Sequence, residues 1–208
     1  QSYRIPGGPI HELSQKIINK VQNRFPKEYK PREEQGLLKR YSDITQVDMS
    51  KGNWLVLSSA NYFLEDAKDL CEIQGWYYQC KGINSVPLKL LLALNNWEHW
   101  RKGELLNHLE IKNIYEYLGD NVLVGFQKGK TLHSDAKYTL KECQEQHGLL
   151  VSTVWYESFH GLDPMTETYI RNMRANGETL NKNPRIKMST IHAAKGGEAD
   201  NVLLLQDL

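Results

Sequence analysis

The 208-residue chain carries 26 Lys and Arg against 25 Asp and Glu, a formal charge of +1, with 40% hydrophobic and 25% charged residues. That is the composition of a globular chain long enough to bury a core; the near-neutral balance excludes whole-surface attraction to nucleic acid, and no apolar run is long enough to span a membrane. Cys71, Cys80 and Cys143 form no Cys-x-x-Cys pair, which fits reduced thiols of a cytoplasmic protein better than a disulfide framework.

The opening Gln1-Ser2-Tyr3-Arg4-Ile5-Pro6 shows no secretory leader and is expected to lie inside a longer protein. Gly7-Gly8-Pro9 then leads into a predicted helix whose Ile10, Leu13, Ile17, Ile18 and Val21 share one face, with Pro26 as its stop; such a helix is expected to pack on a sheet. Residues 1–40 hold nine Lys or Arg against four Glu, an excess most often met on a solvated helix face. Residues 27–34 are predicted as a loop and 37–41 as a short strand.

From 54 to 59 a continuous apolar strand is predicted, followed by a helix with Asn61 as cap, Glu65 and Asp66 in its first turn, and Leu64, Ala67, Leu70 and Cys71 facing inward. Gly75 ends that helix, and residues 76–80 return as a strand. Strand, helix and strand with short links make one βαβ unit of a parallel sheet.

Beyond 84 the pattern becomes helical. Ser85-Val86-Pro87 opens an apolar helix ended by Gly103; Leu105, Leu109, Ile111, Ile114 and Leu118 indicate one or two more, and 136–147 and 163–175 further ones. Residues 121–126 and 149–155 fit either strands or buried helical turns. Trp97 and Trp100, three apart and followed by Arg101 and Lys102, suit either DNA stacking or, more commonly, a core. Residues 125–131 imitate a phosphate-binding loop but have three residues instead of four between the first Gly and Gly-Lys-Thr, so they are read as an exposed turn. His99, His108, His133, His147 and His160 are scattered without metal-ligand spacing, and no metal site is predicted on this chain.

Ile186, Met188 and Thr190 alternate with Lys187 and Ser189 as in a strand, and Val202, Leu203, Leu204 and Leu205 form a buried-strand run. Between them lies His192-Ala193-Ala194-Lys195-Gly196-Gly197-Glu198, small residues interleaved with a donor, a cation and an anion. The string from Ser189 to Asp200 resembles motif V of the UvrD/Rep-like superfamily 1 DNA helicases, commonly Thr-hydrophobic-His-x-Ala-Lys-Gly-Leu-Glu-Phe, with Gly197 in place of the Leu and Ala199 in place of the Phe. The opening Gln1-Ser2-Tyr3-Arg4 resembles motif IV, Gln-x-Tyr-Arg, of the same family. The segment from 54 to 82 is similar to its strand ending in hydrophobic-hydrophobic-x-Arg-Thr-Asn; Asn61 and Gly82 fit, and Ser59 stands where the family has Arg.

The resemblance implies an α/β fold: a RecA-like parallel sheet flanked by helices and interrupted by a mostly helical insertion. It divides the chain into a first motor part at 1–83, a 2B-like insertion at 84–180 and a last motor part at 181–208, with sheet strands near 37, 54, 76, 186 and 202. It implies ATP binding by Gln1, Tyr3 (adenine stacking), Arg4 (terminal phosphate, the catalytic residue) and Glu198 (ribose), and contacts of Thr190, His192 and Lys195 with the DNA backbone. The implied cofactor is ATP with Mg2+, whose ligands are expected on a first motor domain outside this chain. The implied partners are that first RecA-like domain and single-stranded DNA or a duplex junction, in the cytoplasm of a bacterial or phage-infected cell. With no phosphate-binding loop, no acidic magnesium motif and no C-terminal arginine motif, the 208 residues alone are expected to be inactive. Ser59, Gly197 and Ala199 motivate an alternative: a non-catalytic nucleic-acid or protein-binding module with a degraded motor fold. A third reading is an unrelated α/β domain with chance matches.

Overall fold

The computed structural model describes residues 2–206 except 26, 120, 121, 123, 125–130 and 181, and only the backbone of Ser2 and Tyr3. The chain divides into two compact units, Gln1–Val47 and Asp48–Leu208.

In the first unit β1 (Ser2–Gly7) and β2 (Lys30–Gln35) pair in parallel around α1 (Pro9–Ile18). Gly8 precedes the helix at φ 72°, a left-handed conformation that suits glycine, and Pro9 occupies the first turn. Three expectations change here. The strand falls at Lys30–Gln35, in the stretch read as a loop, whereas 37–41 has no regular structure. All six β2 residues are exposed, so backbone pairing with β1 holds it and no apolar pattern announces it. α1 ends at Ile18 with Asn19 as C-cap, and Asn23 turns left-handed at φ 59°; Pro26, the expected stop, lies outside the described residues. α1 lies against β1 yet none of its residues is buried, and Ile17 remains 59% exposed.

The second unit is built on a mixed, mostly parallel sheet ordered β5-β4-β8-β3-β9. Its strands are β3 (Trp54–Ser58), β4 (Tyr78–Cys80), β5 (Ile83–Asn84), β8 (Ile186–Thr190) and β9 (Asn201–Leu204); only β5, at the edge, runs antiparallel. The strand expected near 37 therefore has no place in it. β3, a 3-10 turn at Asn61–Leu64, α2 (Glu65–Gln74) and β4 realise the βαβ unit. Asn61 sits in the 3-10 turn, and the α-helix starts four residues later.

Between β5 and β8 the chain passes through α3 (Leu88–Arg101), β6 (Leu106–Asn107), α4 (His108–Tyr115), β7 (Lys137–Tyr138), α5 (Leu140–Gln146), α6 (Trp155–Ser158) and α7 (Pro164–Ala175). Local chemistry sets the starts of three: Asn107 and Glu110 form a capping box on α4, Thr139 and Glu142 one on α5, and Asp163 caps α7 through the amide of Thr166. None of the described helices is long and apolar enough to cross a membrane.

Alternation along β3 and β8 buries Val56, Ser58, Ile186 and Met188 on one face, where register also places Tyr78. α7 reaches this layer: its Tyr169 hydroxyl donates to the carbonyl of Trp76 at 2.8 Å and lies beside Ser85 Oγ. Gly75 ends α2 at φ 68°, and a Cβ there would stand 2.6 Å from Asn172 Cβ, so the position needs glycine both for its turn and for the approach of α7. Trp97 and Trp100 are fully buried and donate their indole N–H groups to Thr153 and Tyr138 carbonyls, each at 3.0 Å, which places both in the core. A half-buried ion pair, Arg185 with Glu178, ties the entry of β8 to the carbonyls of Met49 and Gly52. Cys71 and Cys143 are buried free thiols whose pKa values desolvation pushes up to about 12 and about 11, which keeps them protonated and unreactive.

Candidate functional site

Parallel sheets bind ligands beyond the carboxyl ends of their strands. In this unit that edge is formed by the residues following β3, β4 and β8, with β8 hydrogen-bonded to both others. The loop 191–200 leaves it in a series of tight turns. The Ile191 amide donates to Ser58 O at 3.0 Å, so the loop is still pinned to β3 where it begins. The Ala194 amide donates to Thr190 O at 3.1 Å and the Gly197 amide to Ala194 O at 2.8 Å, folding the chain back on itself.

Thr190, half-buried, accepts from the Ala193 amide at Oγ1 and keeps its own hydroxyl proton for donation. His192, Lys195 and Glu198 are exposed. Gly196 takes φ 83° with open space where a side chain would be. At Gly197 a Cβ would stand 3.0 Å from Ala194 O, a tight approach, and 3.6 Å from Leu55 Cδ2, an ordinary one.

Lys81, which carried no prior assignment, contributes to this edge, while Asp200 fixes the far end of the loop at the amino end of β3 and β9. Lys81 and Gly82 form a two-residue hairpin turn between β4 and β5, both at positive φ (52° and 81°), with the Lys81 amide donating to Met188 O at 3.0 Å. Lys81 thereby stands at the same edge as His192 and Lys195. The Lys-Gly pair between two short strands was the available signal. Asp200 closes the loop: its Oδ2 accepts from the Asn53 amide at 3.2 Å and from Asn53 Nδ2 at 2.9 Å, locking the start of β9 to β3. It is a structural clamp of the loop.

Thr190 ends β8, and His192, Lys195 and Glu198 follow in the loop that leaves it. Arg4 is exposed on β1 in the first unit, Gln1 lies outside the described residues, and so does the side chain of Tyr3. The decoy stretch at 125–130 also lies outside them. Among the described residues no three His, Cys, Asp or Glu side chains are grouped to hold a metal ion. No family model, no curated protein and no solved structure matches this chain.

Proposed function

We propose that the chain is the second motor domain, with its inserted subdomain, of an ATP-dependent DNA helicase or translocase resembling the UvrD/Rep family. It would supply half of the ATP site and part of the single-stranded DNA track. One observation carries the reading: Thr190 ends the central parallel strand β8, and His192, Lys195 and Glu198 follow in the single pinned loop that leaves its carboxyl end.

The chemistry follows from the side chains. A hydroxyl and an imidazole donate to phosphate oxygens, and Lys195 adds a positive charge beside them. The Glu198 carboxylate accepts from sugar hydroxyls. A loop holding DNA at one end and nucleotide at the other couples the two, since movement that satisfies one ligand displaces the other. Arg4 would place its planar donor fork on the terminal phosphate and stabilise charge developing in transfer. Mg2+, when bound by acidic groups of the first RecA-like domain, would neutralise phosphate charge; the described residues of this chain gather no ligand set for it. The reading makes that first domain and single-stranded DNA the partners, in the cytoplasm of a bacterial or phage-infected cell.

DNA-stimulated ATP hydrolysis by the full-length parent tests it. Arg4→Ala should abolish turnover while sparing DNA binding, and residues 1–208 alone should show none. Turnover by the 208-residue chain, or an unimpaired Arg4→Ala parent, would remove the proposal. A second reading, a non-catalytic binding module with a degraded motor fold, is motivated by Ser59, Gly197 and Ala199, where the motor pattern has Arg, Leu and Phe. An intact parent that binds DNA without hydrolysing ATP would select it.

A further inference from the structure

α3 and its C-cap, the start of α6, and α7 enclose an open cleft of about 440 Å³. Asn95, Glu98, His99 and Lys102 line it from one helical face at spacings of three and four, with Trp155 and Tyr156 opposite and Arg174 from the last turn of α7. A cleft of this size is in the range of small-molecule sites.

Its one lining acid, Glu98, is already engaged, and its histidine has a carboxylate neighbour in Glu104 outside the lining. Glu98 accepts from Arg101 Nη1 at 2.7 Å and from the Trp155 amide at 3.1 Å, and Glu104 lies 3.3 Å from His99 Nδ1. Its cations are not matched in this way. Half-buried Arg174 donates to Asn95 Oδ1 at 3.2 Å and lies 5.4 Å from the Trp155 ring, and no described carboxylate pairs with it or with exposed Lys102. Desolvation lowers the Arg174 pKa, against an opposing effect of Glu98. A partly desolvated guanidinium facing an amide oxygen and a ring retains donors suited to a bidentate anion. Beside it Tyr156 is 40% exposed, with Arg171 at 4.6 Å from its ring.

We propose that this cleft binds a nucleotide, free or as a unit of a single strand, with Arg174 and Lys102 on the phosphate and Tyr156 against the base. An anion with no planar group would leave the aromatic wall unused, and a base with no phosphate would leave the two cations unmatched. The site involves none of the loop residues and stands independently of the motor reading.

The 208-residue chain is titrated with inorganic phosphate, with AMP and with a thymine-rich single strand, following the indole N–H resonance of Trp155 by NMR. AMP should bind more tightly than phosphate, and Tyr156→Ala should remove that advantage. Arg174→Gln and Lys102→Gln should each weaken AMP binding roughly tenfold; Lys102 is exposed, so its substitution keeps the test valid if Arg174→Gln misfolds. Affinity higher for AMP assigns the free ligand, and affinity higher for the strand assigns the polymer. A silent Trp155, AMP no tighter than phosphate, or unchanged affinity in Lys102→Gln overturns the proposal.

Discussion

The two compact units use apolar residues to opposite effect. In Asp48–Leu208 tryptophans at helical spacing are buried and their indole N–H groups are satisfied by carbonyls far away in sequence. In Gln1–Val47 the helix with the clearest apolar stripe, α1, buries no residue, and β2 is exposed throughout. Amphipathic spacing therefore states which face a helix offers, and only a neighbouring layer decides whether it is buried.

Substitutions should reproduce that contrast in urea unfolding followed by far-UV circular dichroism. Trp97→Ala, removing a fully buried indole beside Trp100 and Phe159, should cost about 3–5 kcal/mol. Glu178→Ala, which leaves half-buried Arg185 without its carboxylate at the entry to β8, should cost about 1–3 kcal/mol. Gly75→Ala should cost about 1–3 kcal/mol, because the new Cβ meets α7 and the φ is left-handed. Ile17→Ala in α1 should change stability by less than about 0.5 kcal/mol. A large loss at Ile17, or a negligible one at Trp97, would erase the distinction between the units.

What was legible in the chain follows the same division. The βαβ unit from Trp54 to Cys80 was readable because an apolar run, an acidic first turn and a terminal Gly75 agree with one another. α7 was readable from Asp163 and Pro164 at its start. β2 was not, since Lys-Pro-Arg-Glu-Glu-Gln has no burial pattern and is held by backbone pairing alone. Nor was the end of α1, which stops well before the proline expected to end it.

At the candidate site, the loop between β8 and β9 and its small residues were visible as spacing and residue type. The clamp by Asp200 was not, because its partner Asn53 is 147 residues away. The place of Lys81 at the same edge depends on β8 pairing beside β4, a register that local sequence does not specify. Gly197, which departs from the motif V pattern, lies in a turn that returns its amide to Ala194 O, where a Cβ would be tight against that carbonyl.

The most direct test of the central claim is backbone amide NMR of the 208-residue chain titrated with a single-stranded oligonucleotide. The largest shifts should fall across residues 190–198, with His192→Ala reducing them. Binding that leaves those amides unmoved, or no binding at all, would contradict a DNA-contacting loop at the carboxyl end of β8.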